Sequence, residues 1–201
     1  MNKIKIAVLC SGGGTNLREI LKAQAAGKIP DGEIVLVVCD SVGAGALDHA
    51  KNHNVETAVF DKKEYPRELR EQKILSCLKE HDIELVVLAG FMTILSANFV
   101  REYENRIINI HPALLPSFGG KGMYGLHVHE AVLAAGVKVT GATVHFVTAE
   151  CDMGPIIEQK AVRVGKNDTP KMLQKRVMKY AEWVIYPQAV ETVCKKIMGE
   201  K

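Results

Sequence analysis

The sequence is short of most features that would classify it at a glance. No window approaches the roughly 20 consecutive apolar residues that cross a bilayer, so no membrane partner is expected. The start, "MNKIKIAVLC", has too short an apolar stretch for the roughly 7–15 residues of a secretory h-region, and glycines follow at once. It reads as a first strand, and a cytoplasmic location is expected. The five cysteines (Cys10, Cys39, Cys77, Cys151 and Cys194) form no C-x-x-C pair, which leaves reduced, mostly buried thiols. The formal charge is only +3 and the basic residues are spread along the chain, too little asymmetry for a nucleic-acid partner. There is no H-E-x-x-H, no G-x-S-x-G elbow, no Walker lysine, no repeat and no low-complexity tract.

The chain does have alternation. "IKIAVL", "EIVLVVC", "TAVF" and "ELVVLAG" are near-continuous β-rich runs, as expected of strands buried on both faces. Between them lie helical patterns: Leu17, Ile20, Leu21 and Ala25; a short helix ending near Asn54; and a longer charged helix with Leu69, Ile74 and Leu78 turned inward. Such alternation predicts a parallel sheet with right-handed crossovers. Later, "GATVHFVT" and "PIIEQKAVRV" predict an antiparallel pair joined through "AECDMG". From Thr169 the pattern is helical, with Pro187 interrupting or restarting it. The expected fold is a single α/β domain over residues 1–201, a Rossmann-like open sheet with a parallel N-terminal half, mixed or antiparallel C-terminal strands and helices on both faces.

"LCSGGGTNLREIL" falls between the first strand and the first helix. Ligands of open α/β sheets bind at the carboxyl ends of strands, where a helix N-terminus offers free N–H groups to an anion. Asn16 with Glu19 suggests a capping pair. Leu17 stands where the third glycine of G-x-G-x-x-G would be, so a phosphate or phosphosugar loop fits better than a full dinucleotide site, beside a purely structural turn. Asp40, ending the second strand, suits either a ribose-reading acid or a solvated strand-end carboxylate.

In "IINIHPALLPSF", Asn109 and His111 are two apart on a strand and so share a face, and Pro112 ends the strand. An amide beside an imidazole suits stabilisation of an acyl-transfer oxyanion. A charged histidine there needs a partner; Asp152, ahead of Met153-Gly154-Pro155, is the candidate, and it would raise the His111 pKa. The alternative is a strand-end histidine satisfied by a carbonyl, with Asp152 a turn residue. His127 and His129 at a helix start, and His49 and His53 at H-x-x-x-H spacing, read as solvated or capping histidines, and no metal is assigned.

Taken together, "SGGGTNL", "VVLAGFMTIL", "NIHPALLPSF", "TVHFVTAECDMGP" and "YAEWVIYPQAV" resemble, in order and over essentially the whole chain, the phosphoribosylglycinamide formyltransferases, the folate-dependent glycinamide ribonucleotide transformylases of the formyltransferase superfamily. The resemblance implies transfer of the formyl group of 10-formyltetrahydrofolate, a co-substrate, to the amine of glycinamide ribonucleotide in purine biosynthesis, without a metal, by a monomer or homodimer. It implies a phosphoribosyl-binding half over about residues 1–100 and a folate-binding, catalytic half over about 85–201. Asn109, protonated His111 and Asp152 match the catalytic trio. Gly14, Thr15 and Asn16 match the phosphate site, and Glu182 matches a carboxylate at the substrate amine or ribose. Met92, Thr93, Ile94 and Leu95, with Asn109 and Thr148, Ala149, Glu150, Cys151 and Asp152, match the folate cleft, and Arg67, or Lys63, a folate contact. The glycine-rich insertion "SFGGKGMYGLHVHEA", with Lys121, departs from the shorter forms of the family. Formyltetrahydrofolate hydrolase, another formyltransferase of the superfamily, and a nucleotide-binding module are the alternatives.

Overall fold

A computed structural model describes residues 3–200. Its sheet begins with β1 (Ile4–Cys10), β2 (Gly32–Cys39), β3 (Glu56–Val59), β4 (Leu85–Leu88) and β5 (Ile107–His111), all in parallel pairing. β6 (Val139–Phe146) then runs against both of its neighbours, β5 and β7 (Ile156–Arg163). The order β3-β2-β1-β4-β5-β6-β7 places a topological switch between β1 and β4, where an open sheet leaves a crevice beyond its strand ends. The mixed sheet agrees with the expected fold class.

Period-two alternation divides each strand between two helical layers. Ile4, Ile6, Val8 and Cys10 of β1 face α1 (Thr15–Ala25), α2 (Ala46–Asn52), α5 (Leu126–Ala134), α6 (Pro170–Val177) and α7 (Trp183–Gly199). Ala7 and Leu9 face α3 (Arg67–Glu80) and α4 (Ala97–Glu102). Cys10, Cys39, Cys77 and Cys194 are buried free thiols, while Cys151 is exposed.

Three local expectations change. Asn16 and Glu19 form no capping pair: the N-cap of α1 is Gly14, with φ 68°, and Glu19 instead takes Arg18 at 2.8 Å and Lys22 at 3.0 Å. Leu69 is 43% exposed, because α3 turns Arg70 and Glu71 inward beside Ile74 and Leu78. The C-terminal helical stretch does not break at Pro187; it loosens into a π turn at Met178–Glu182, and Pro187 lies inside α7. Glu182 ends the π turn, buried against Asn16 in the first turn of α1. One helix escaped the sequence reading, α4, only 6 residues long and capped by Ser96 Oγ, which accepts the Phe99 N–H at 3.2 Å.

On their face of the sheet α3 and α4 share a core with Ile107 at the start of β5, through Phe99, Val100 and Tyr103, but with no later residue of β5 and none of β6. Two loops cover that area, residues 112–125 and 147–155. Thr143 of β6 satisfies the first: its Oγ1 accepts the Leu115 N–H at 3.0 Å and donates to the Ala113 carbonyl at 2.7 Å. The second starts from Val147, whose N–H bonds the Ile107 carbonyl at 2.9 Å. Between these loops and the ends of β1, β4 and β5 the cleft opens.

Candidate active site

The cleft encloses about 860 Å³ and runs from the α1 N-terminus to the 147–152 loop. At one end are Thr15, Asn16 and Glu182; at the middle Asn109, His111 and Asp152; along one wall Met92, Thr93, Ile94 and Leu95, and along the other Thr148, Ala149, Glu150 and Cys151. The sequence-predicted residues therefore converge, with exceptions set out below.

The loop after β1 is held from behind. Ser11 N–H bonds the Gly90 carbonyl at 3.0 Å, Met92 N–H bonds Ser11 Oγ at 2.8 Å, and Ala46 N–H bonds the Gly12 carbonyl at 3.1 Å. Gly14 must be glycine: its φ is +68° and an added Cβ would lie 2.7 Å from Ala46 Cα. A Cβ at Gly12 or Gly13 would meet nothing, so the loop has an open side, at a helix N-terminus suited to an anion. Thr15 and Asn16 face the cleft, whereas Gly14 shapes the loop from outside its lining.

Glu182 is 6% exposed, and its Oε2 accepts Asn16 Nδ2–H at 2.7 Å. Burial raises its pKa to about 7, against a smaller lowering from Asn16. A carboxyl that titrates near neutral pH can exchange a proton with a basic group at this end of the cleft.

The antiparallel register sets Asn109 opposite His145 and His111 opposite Thr143, so all four share a face. His145 Nδ1 donates to the Phe146 carbonyl at 2.9 Å, which leaves Nε2 to accept Asn109 Nδ2–H at 3.3 Å. One hydrogen of the amide is thus held and its twin remains for the cleft. Asp152 stands between two imidazoles, with Oδ2 3.6 Å from His111 Nδ1 and Oδ1 3.6 Å from His145 Nε2. Burial by itself would raise the Asp152 pKa, but His145 once it carries a proton on Nε2, the Gly120 N–H and the charge of a protonated His111 outweigh it and hold it at about 2.

The expectation that Asp152 raises the pKa of His111 is corrected for the net direction. Burial lowers its pKa, and this exceeds the raising by Asp152 and by the Phe118 carbonyl; His145 lowers it further. The lowered pKa favours a neutral His111 beside an ionised Asp152, and the ring's charge acts on Asp152 only when the ring is protonated.

Four other assignments move. Arg67 does not line the cleft; half-exposed, it pairs with Glu71 at 3.1 Å beside a smaller hollow. Lys63 is likewise outside the lining, its N–H bonded to Asp61. Asp40 is neither solvated nor free to read a ribose: fully buried, it accepts the Thr93 hydroxyl at 3.0 Å, while Arg70 reaches the same hydroxyl at 3.4 Å. It braces the Met92–Leu95 wall from behind. His129, expected to be solvated, is fully buried at the cleft, and burial lowers its pKa to about 4.

Sequence reasoning missed His145, Gln174 and Met178 in the lining, and the backbone of the insertion. His145 alternates with Thr143 in "TVHFV", but only the β5–β6 register shows which histidine meets which amide. The insertion lies along the cleft, with Lys121 and Tyr124 in its wall.

The fold and cleft define an α/β protein with an anion-ready loop at one end and an amide, imidazole and carboxylate set for acyl-type transfer in the middle. The chain belongs to the formyl transferase family, whose model matches residues 4–190. It is 40% identical over 194 residues to the chloroplastic phosphoribosylglycinamide formyltransferase of Arabidopsis thaliana, covering 96% of this chain and 66% of that protein. It is 46% identical over 195 residues to the trifunctional purine biosynthetic protein adenosine-3 of Gallus gallus, covering 96% of this chain but 18% of that one. The chain thus spans about two thirds or less of these relatives. Among solved structures, glycinamide ribonucleotide transformylase 1 from Symbiobacterium toebii superposes with a TM-score of 0.90 at 39% identity, over 96% of this chain and 89% of that one. Phosphoribosylglycinamide formyltransferase from Brucella melitensis does so at 0.87 and 40%, over 96% of each.

Proposed function

We propose that the protein transfers the formyl group of 10-formyltetrahydrofolate to the amine of glycinamide ribonucleotide, as a phosphoribosylglycinamide formyltransferase of purine biosynthesis. The observation that carries this reading is one continuous cleft holding the anion-ready end, with Thr15, Asn16 and Glu182, and the Asn109, His111 and Asp152 centre together. Its volume lies towards the upper end of the roughly 300–1,000 Å³ of small-molecule sites, as two substrates require. The ribonucleotide phosphate takes the loop around Gly14 to Asn16. The pterin lies between the Met92–Leu95 and Thr148–Asp152 walls, against backbone donors and acceptors.

The glycinamide amine resembles an α-amino group, with an ordinary pKa near 7.7–8.0, so it must shed a proton before attacking. Glu182, with its pKa of about 7, takes that proton or holds the neutral amine. The amine nitrogen then bonds the formyl carbon, and the formyl oxygen becomes an oxyanion that the free Asn109 N–H meets. Neutral His111 accepts the second proton of the attacking nitrogen. The imidazolium so formed, stabilised by Asp152, passes that proton to the folate nitrogen as the carbon–nitrogen bond to folate breaks. The products are formylglycinamide ribonucleotide and tetrahydrofolate.

Among the described residues no helix is long and apolar enough to cross a membrane, and a cytoplasmic location is part of the proposal. The test is to follow deformylation of 10-formyltetrahydrofolate with and without glycinamide ribonucleotide. Turnover that depends on the ribonucleotide is expected. Release independent of it would reassign the protein as a hydrolase, and no release in either case would remove it from the formyl-transfer enzymes.

A further inference from the structure

The glycine-rich insertion touches both ionisable members of the centre through its backbone. His111 Nε2 lies 2.7 Å from the Phe118 carbonyl, and the Gly120 N–H donates to Asp152 Oδ2 at 2.8 Å. A carbonyl oxygen only accepts, so the proton of a neutral His111 is on Nε2. The lone pair is then on Nδ1, facing the same Asp152 Oδ2 at 3.6 Å. Two lone pairs facing each other leave that gap open; a proton arriving on Nδ1 turns it into an ion pair.

The segment is built for this geometry at some local strain. Phe118 is a non-glycine residue at φ +56°, a left-handed conformation that favours glycine and asparagine, and Asp152 opposite has φ +57°. Gly120 has φ +92°. Between them, a Cβ on Gly119 would fall 2.5 Å from Leu115 Cδ2 and 3.3 Å from Asp152 Cβ, so the backbone approaches Asp152 as closely as glycine allows. Left-handed non-glycine residues clustered around reactive groups are typical of strain retained for positioning.

We propose that the Phe118–Gly120 segment is a positioning element: the Phe118 carbonyl fixes neutral His111 as the Nε2–H tautomer, so that a proton the ring gains sits on Nδ1, against the Asp152 that the Gly120 N–H aims at that nitrogen. This rests on the formyl-transfer reading for its purpose, though the tautomer itself is a property of the free protein. It gives the insertion a role that its sequence does not disclose, since the contacts are made by peptide groups and not by Lys121 or any other side chain.

The test is a long-range ¹H–¹⁵N spectrum of the seven histidine rings in the unliganded protein at pH 8, with His111 assigned by its disappearance in His111→Asn. The expected His111 pattern is a protonated Nε2 and an unprotonated Nδ1. A neutral ring protonated on Nδ1 overturns the proposal. A second arm compares Phe118→Leu with Phe118→Ile, isomers of equal bulk that differ in β-branching, which disfavours the left-handed conformation. The Ile variant should fall below the Leu variant in kcat by about 5–30-fold, with both KM values within about twofold, and its His111 signal should shift towards mixed tautomers. Equal kcat and identical tautomer patterns in the two variants would also overturn the proposal. Ribonucleotide-dependent turnover with an Nδ1–H ring removes the segment's role alone. The expected tautomer without ribonucleotide-dependent turnover removes the formyl-transfer reading and the role with it.

Discussion

Replacing Glu182 by glutamine should make the protein more stable and less active at the same time, with a pH dependence that identifies the cause. Glu182 is buried with Asn16 as its hydrogen-bond partner and, among the described residues, no cation in ion-pair contact, and its pKa is raised from 4.5 to about 7. At about 1.4 kcal/mol for each tenfold change in acidity, that gap corresponds to about 3 kcal/mol. Below pH 4.5 the carboxyl is protonated in both folded and unfolded chains and the penalty is absent. Between 4.5 and 7 the unfolded chain releases its proton while the folded one retains it, so stability falls as pH rises; above 7 the whole penalty is present. Glu182→Gln keeps the shape and an acceptor for Asn16 but removes the charge. The variant should gain about 3 kcal/mol at pH 8, or about 6–12 °C in Tm for a chain of this size, and almost nothing at pH 4.5. If the carboxylate meets the substrate amine, kcat/KM for glycinamide ribonucleotide should fall by about 10–150-fold, as for loss of a charge-assisted hydrogen bond. Denaturation melts at the two pH values, with steady-state kinetics at pH 8, decide the matter. A variant destabilised at pH 8, or one whose gain persists unchanged at pH 4.5, would refute the reasoning.

Asp152→Asn should lower kcat by about 10²–10³-fold with KM values within about threefold. At 3.6 Å an ionised partner is worth about 4–5 kcal/mol to an imidazolium at an effective dielectric of 20, and an amide restores part of it. The carboxylate pKa held at about 2 contributes about 2 kcal/mol of stability that is complete above pH 4 and lost as pH falls towards 2; acid titration of the wild type against Asp152→Asn should show that difference. Because burial lowers the His111 pKa, the acid limb of kcat assigned to it should lie below 6.5 and vanish from the residual activity of His111→Asn, as measured by pH–rate profiles. Gly14→Ala should lose at least about 2 kcal/mol of stability and most ribonucleotide affinity, by melts and calorimetry, since Ala46 Cα lies 2.7 Å from the new Cβ and φ is positive.

Period and spacing carried the fold far. The apolar runs that became β1, β2 and β4 alternate too little to be anything but strands buried on both faces, and their interleaved helices force parallel pairing. Asn109 and His111 were readable as a pair because strand geometry alone places them on one face. What spacing could not supply was register and depth. Asp40 and His129 look like solvated polar residues because nothing local buries them; the Thr93 hydroxyl from 53 residues away and the packing of α5 against the cleft do so. The net direction of the His111 pKa shift was misjudged for a related reason. A nearby carboxylate is visible in sequence, whereas the desolvation that outweighs it depends on the loops closing overhead.

Those loops also explain why the centre is polar at all. A helix laid over β5 and β6 would satisfy its own backbone and ask for apolar side chains beneath it. Loops present unpaired peptide groups, and buried peptide groups need partners. Thr143 serves Leu115 and Ala113, His111 serves Phe118, and Asp152, itself in the second loop, serves Gly120. Thr143 and His111 thus have a structural reason to be polar before any chemistry is considered. The same demand leaves one amide hydrogen on Asn109, an ionisable ring on His111 and the charge on Asp152 beside the cleft. In this fold loops, in place of a helix over the end of β5 and over β6, account for both the cleft and the polar strand face that lines it.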